Sequence, residues 1–264
     1  MLPLRDANPT RRTPLVTLAI IIACFVGFAW ELGLQASGGE MALNDFLTTW
    51  GVVPADLTAA WSRGDYASQE TATLITSQFL HGGWFHLLGN MLYLWIFGNN
   101  VEDRLGRVGF LLFYLAGGVL AGLSQVAIDP TSTVPTIGAS GAIAAVLGAY
   151  FVFFPRARVT SLVFLGFFYQ LIDVPAIIVL GFWFLLQIID GLASLGVTQT
   201  GGVAVFAHIG GFVAGALAAR AIILVTGARR GGSVGVGEVG GGAMPSGYDG
   251  EPPGVPPGPP SGVG

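Results

Sequence analysis

The stretch GASGAIAAVLGAYFVFFPR, Gly138 to Arg156, decides the architecture. Between Ser140 and Phe154 it carries no charge, and charge returns only at Arg156. An apolar run bounded by a serine and an arginine reads as a membrane helix. Ser140 to Phe154 is 15 residues, roughly 22 Å of helix at 1.5 Å per residue. The hydrocarbon layer is ~30 Å thick. With Phe154–Pro155–Arg156 at the inner boundary, Ser140 lies roughly 8 Å below the outer one.

The whole chain supports a membrane reading. Of its 264 residues 53% are hydrophobic and only 10% charged, with mean hydropathy +0.71. A soluble domain carries about 25% charged residues, so lipid must replace water over much of the exterior. Net charge is -4, which gives no support for nucleic-acid binding. Cys24 is the single cysteine, so no intramolecular disulfide is possible.

Working outward, the spans are Leu15–Leu34, Trp84–Asn99, Val108–Ile128, Ser140–Phe154, Pro175–Ile189 and Val203–Thr226. The first follows Arg5, Arg11 and Arg12, and a cleaved signal peptide is the alternative reading there. The polar stretch from Ser37 to about Gly83, with Trp50, Trp61 and Tyr66, is expected on the membrane surface. Val159–Asp173 is apolar and reads either as an interfacial segment or as the buried first half of a long fifth element. All 11 basic residues are arginines. With a cytoplasmic N-terminus and alternating spans, only Arg63 falls outside, and the other arginines cluster on the inner side. Both termini are then cytoplasmic, and the loops before Ser140 and His208 face outward. The expected fold is an all-α membrane protein: a cytoplasmic N-terminal segment over residues 1–14, a six-helix membrane domain over 15–226, and a Gly/Pro-rich tail over 227–264. That tail holds 14 Gly and 7 Pro in 38 residues. It cannot bury enough surface to offset its chain entropy and is expected to be disordered.

Polar residues inside spans are costly, so each needs a reason. Three groups stand out: Gly138–Ala139–Ser140–Gly141, Ala207–His208–Ile209–Gly210–Gly211, and His81 through Asn90. His208 lies six residues past Gly202, roughly 9 Å down from the outer side, level with Ser140. Ser140, Ala144 and Gly148 share a helix face, and Gly211 and Gly215 form a G-x-x-x-G beside His208. Such small faces let backbones approach closely in lipid. A serine hydroxyl needs a base, and imidazole is the usual one. No Asp or Glu is expected at mid-depth, so the pattern points to a Ser140–His208 dyad rather than a triad. The motif is not the G-x-S-x-G elbow, because position 142 is Ala. His86 and Asn90, four residues apart, share a face. Together with the backbone N–H groups at Ser140 they can donate to one oxyanion.

Blander readings compete. A serine at a helix start is commonly an N-cap, a membrane histidine can simply bond a carbonyl, and His86 and Asn90 can join helices. Three histidines invite a metal, but no H-E-x-x-H is present and Asn is an unusual zinc ligand. No metal or cofactor is therefore expected. A small transporter would need inverted repeats and a charged midplane site, and neither is visible.

At these residues the chain resembles the rhomboid family of intramembrane serine proteases, from about Leu15 to Thr226. The resemblance rests on His86-x-x-x-Asn90, Gly138–Ala139–Ser140–Gly141 and Ala207–His208-x-x-Gly211-x-x-x-Gly215, in that order. Val101–Glu102–Asp103–Arg104–Leu105–Gly106 is similar to a loop of the family. The resemblance implies a rhomboid-like six-helix bundle whose water-filled cavity opens outward. It implies Ser140 as nucleophile, His208 as its proton relay, and His86, Asn90 and the Ser140 backbone as oxyanion donors. Substrates would be single-pass membrane proteins, cut near the outer surface. Two departures matter. Some members carry an aromatic residue four positions after the serine, stacked on the histidine, where this chain has Ala144. Some have Trp-Arg in the first long loop, where this chain has Trp61–Ser62–Arg63. A non-catalytic scaffold that binds transmembrane helices is the alternative function.

Overall fold

A computed structural model of the chain describes residues 2–165, 168–194 and 204–227. The elements run β1 (Leu2–Asp6), α1 (Leu15–Trp50), α2 (Pro54–Ser62), α3 (Gln69–Thr76), α4 (Trp84–Tyr93), α5 (Asn99–Leu105), α6 (Arg107–Ile128), α7 (Ser140–Phe153), β2 (Arg158–Leu165), β3 (Phe168–Pro175), α8 (Ala176–Ser194) and α9 (Val205–Thr226). A π-helical turn, Leu94–Gly98, joins α4 to α5. The second span therefore continues as helix beyond its expected end at Asn99. Among the described residues, α1, α6 and α9 are long and apolar enough to cross a bilayer, and α7 and Ala176–Asp190 are shorter apolar helices. The expected tail over 227–264 lies, apart from Gly227, outside the described residues, as does most of the loop before His208.

α1 outruns the apolar stretch that starts it. Gly39, at φ 70 and ψ -168, breaks the helix between its apolar part and a polar continuation to Trp50. The rest of the polar stretch carries two short helices, α2 and α3, joined by turns. Leu57 of α2 and Leu74 of α3 bury against Val52 and Val126 of α6.

The expectation of an all-α chain fails at two stretches. Residues 2–6 and 158–175 form a three-stranded antiparallel sheet in the order β1-β2-β3. Leu2 pairs with Leu162, and Leu162 in turn with Leu171. Val159–Asp173 thus lies in two paired strands and is not the helical first half of a long fifth element. Backbone polar groups beside lipid must find protein partners, and the antiparallel pairing of Arg158–Leu165 with Phe168–Pro175 supplies them. Pro3 has no N–H to offer and sits on an edge strand, beside a bulge between Pro3 and Arg5.

Polar anchors tie this end of the molecule together. Glu102 accepts the N–H groups of Val16 (3.0 Å) and Thr17 (2.8 Å) and the Thr17 hydroxyl (2.8 Å). A carboxylate thereby satisfies orphan donors at the positive end of α1. Asp6 Oδ2 accepts from the Tyr150 hydroxyl at 2.8 Å and from Asn100 Nδ2 at 2.6 Å, which fastens β1 to α7.

α7 lies in the centre. Every residue from Gly141 to Tyr150 is buried. Its closest approach is to α9. A Cβ on Gly148 would run into the Phe212 carbonyl, and one on Gly215 into the Ala145 carbonyl. The small-residue spacing seen in the sequence is therefore a backbone-to-backbone seam.

Candidate active site

Ser140 opens α7, and His208 lies in the first turn of α9. The α7–α9 seam brings them together: His208 Nε2 is 2.7 Å from Ser140 Oγ. His208 is 9% exposed, so the pair sits away from bulk water but not sealed from it. A blander role for Ser140 as an N-cap finds no support, since no side-chain cap bond is made at the start of α7.

The pair lies on the wall of a cavity of about 670 Å³, bounded by the segment between α6 and α7 and by the starts of α4, α7 and α9. His86 lines the same cavity. Its Nδ1 accepts the Gly82 N–H at 3.3 Å. A neutral imidazole has one proton, so His86 carries it on Nε2 as a donor. That nitrogen faces Gly138, where a Cβ would come within 2.7 Å of it and where φ is +122. Glycine at 138 is required on both counts. The Gly138 N–H donates to the Ser77 carbonyl at 2.9 Å, which fixes the approach to α7. The first turn of α7 adds N–H groups that have no partner four residues back.

Asn90 stands apart from this cluster. It is buried one turn beyond His86, but it is not among the residues that line the cavity. Its Nδ2 has no hydrogen-bond partner. A shared helix face was correct as spacing, yet only His86 reaches the cavity.

Glu31 is the acidic group nearest to a third-member role in the spans, three residues before the expected end of the first. It is a carboxylate inside the first span, 2% exposed, and its Oε1 accepts the His81 N–H at 3.0 Å. It does not line the cavity, so it cannot act as a third member beside His208. What His208 does touch is Gln187 of α8, whose Oε1 is 2.7 Å from Nδ1. The Trp183 ring lies 6.0 Å from the His208 ring at a 37° tilt. Sequence reasoning missed both residues. The signal for Gln187 was present, because it is a polar residue inside an apolar span, near its C-terminal end. Gln78 and Gln125 also face the cavity, and their Oε1 atoms have no protein partner. No group of three or more His, Cys, Asp or Glu able to hold a metal occurs among the described residues.

Comparison with known proteins gives a match to the family described as Rhomboid domain over residues 68–224. Presenilin-associated rhomboid-like protein A, mitochondrial, of Danio rerio is 32% identical over 131 residues, covering 48% of this chain and 34% of that protein. Rhomboid protease GluP of Bacillus subtilis is 36% identical over 156 residues, 59% of this chain and 27% of that protein. Rhomboid protein 1, mitochondrial, of Saccharomyces cerevisiae is 33% identical over 104 residues, 38% of this chain and 30% of that protein. In each case the likeness spans about a third or less of the relative's length.

Proposed function

The chain belongs to the rhomboid family, and from that premise we propose that it is an intramembrane serine endopeptidase acting through a Ser140–His208 dyad. The observation that carries the reading is the 2.7 Å contact between Ser140 Oγ and His208 Nε2 on a cavity wall. His208 Nε2 takes the hydroxyl proton as Ser140 Oγ attacks the peptide carbonyl, and it then gives that proton to the leaving amine. A water molecule, deprotonated by the same nitrogen, hydrolyses the acyl-enzyme and restores Ser140. The developing oxyanion faces His86 Nε2–H and the N–H groups of the first turn of α7. Asn90 supplies a further donor once its unpartnered Nδ2 turns toward the bound carbonyl, since catalytic hydrogen bonds tighten in the complex.

In this reading six helical spans cross the cell membrane with both termini cytoplasmic, as the arginine distribution favours. The cavity opens to the outer side. Substrates are single-pass membrane proteins whose helix unwinds there, so that a backbone carbonyl can reach Ser140. Neither a cofactor nor a metal takes part.

The test is cleavage of a reporter transmembrane substrate by purified protein in proteoliposomes, with fluorophosphonate labelling of Ser140 alongside. Ser140→Ala and His208→Ala should each abolish cleavage, and the double variant should be little worse than either, because the pair acts as a unit. Cleavage by Ser140→Ala removes the mechanism. A wild-type protein that binds transmembrane helices but neither labels nor cleaves would instead be a scaffold.

A further inference from the structure

We propose that Gln187 is the positioning residue of His208, a neutral third member in line with Ser140 and His208. The inference rests on the reading of those two as nucleophile and base. Gln187 Oε1 lies 2.7 Å from His208 Nδ1, while His208 Nε2 lies 2.7 Å from Ser140 Oγ. Both ring nitrogens are thus engaged, on opposite edges of one ring. An amide oxygen only accepts, so the imidazole proton must sit on Nδ1. Nε2 is then left with a lone pair facing the hydroxyl, which is the tautomer a general base needs. An apolar side chain at 187 would leave the tautomer unspecified. A donor there would force the proton onto Nε2 and remove the base.

The choice of an amide has a physical reason. Soluble serine hydrolases place a carboxylate at this position. Inside a membrane helix a carboxylate is costly to bury and tends to take up a proton. A protonated acid can donate to Nδ1 and so spoil the tautomer. An amide cannot change its charge. With its oxygen toward Nδ1 it accepts from Nδ1–H without titrating itself, and the bond strengthens when the ring becomes an imidazolium.

The surroundings leave this task to α8. Ala144 is fully buried against the α7–α9 seam, its Cβ 3.2 Å from where a Cβ on Gly211 would stand. There is no room for an aromatic ring at that position. Trp183 and Gln187 are four residues apart on α8 and share one face. Trp183 limits the tilt of the imidazole and Gln187 fixes its rotation.

The experiment uses full-length protein labelled with 15N-histidine in nanodiscs. The His208 signals are identified by their loss in His208→Ala. In the wild type the Nδ1–H tautomer is expected. Gln187→Met should shift it toward Nε2–H or a mixture and should lower kcat by about 10²-fold or more, a wrong tautomer costing ~10⁴ in a soluble triad. KM should stay near the wild-type value, and fluorophosphonate labelling of Ser140 should slow with kcat. Gln187→Glu should keep cleavage at alkaline pH, where the carboxyl is ionised, and raise the acid limb of the kcat profile by about one pH unit, because the anion favours the imidazolium and its protonation on the acid side disturbs the tautomer. A wild-type tautomer and labelling rate in Gln187→Met overturn the proposal. So does an unmoved acid limb in Gln187→Glu, the variant that decides if Gln187→Met does not fold. A tautomer that depends on residue 187 in a protein that never labels or cleaves supports the positioning role and sinks the protease reading instead.

Discussion

Replacing Gly211 by alanine places one methyl group in the seam between α7 and α9, beside Ser140 and His208. It would run into the Gly141 carbonyl oxygen and lie 3.2 Å from the Ala144 Cβ and 3.3 Å from the Ala121 Cβ. These neighbours are backbone or Cβ atoms, so no flexible side-chain end can swing aside. A carbon rests no closer than roughly 3.3 Å to a carbonyl oxygen, which forces α9 back by on the order of 1 Å. Gly211 is one turn past His208 and Gly141 is next to Ser140, so the displacement falls on the reacting pair. Their 2.7 Å contact opens to about 3.7 Å, beyond hydrogen-bond range. A misplacement of about 1 Å costs on the order of 10²-fold in rate, whereas overpacking a core costs only about 1–3 kcal/mol of stability. Gly211→Ala should therefore fold with a lowered Tm and cleave about 10²-fold more slowly. Gly181→Ala on α8, where an added Cβ meets nothing within 4 Å, is the control and should retain both properties. Initial cleavage rates in proteoliposomes, normalised to the folded fraction from thermal melts, give the answer. Wild-type cleavage by Gly211→Ala at an unchanged Tm would show that the glycine seam does not set the Ser140–His208 distance.

Asn90→Ala should leave partial cleavage at unchanged substrate affinity, because losing one oxyanion donor costs ~10²–10³ in rate. Full activity would remove Asn90 from the oxyanion site, and loss through unfolding alone would make it a helix-joining residue. A cysteine introduced at Thr131, in the exposed segment between α6 and α7, should label with a membrane-impermeant thiol reagent from the outer face of intact cells. Labelling only from the cytoplasmic face inverts the topology. Burial pushes the Asp6 carboxyl up from 3.8 to about 6, with the Tyr150 hydroxyl bond opposing. The folded chain then holds this proton more tightly than the unfolded chain. Its contribution to stability is full below about pH 4 and is lost as the pH rises through about 6. Tm should fall across that window, and Asp6→Asn should flatten the fall. An equal slope in both proteins would show that Asp6 is not the group responsible.

The features legible in the sequence are those in which each residue answers to its own surroundings. The apolar runs marked α6, α7 and α9 because a helix in lipid satisfies its backbone within the segment itself. Gly148, Gly211 and Gly215 announced a close helix seam, since only small side chains permit one. Ser140 and His208 could be matched in depth because the rise per residue is fixed. Tertiary structure alone decided the rest. Val159–Asp173 is a short apolar run, and periodicity cannot separate strand from helix there. Its pairing with residues 2–6, more than 150 positions away in sequence, settles the question. His86 and Asn90 have the same spacing signal, yet only one lines the cavity. Gln187 became meaningful only when the rotation of α8 aimed its amide at His208. Helix formation is a local free-energy balance that the sequence displays directly. The partner of a side chain is set by the rotation and separation of two whole helices, and those are fixed by every contact along their length.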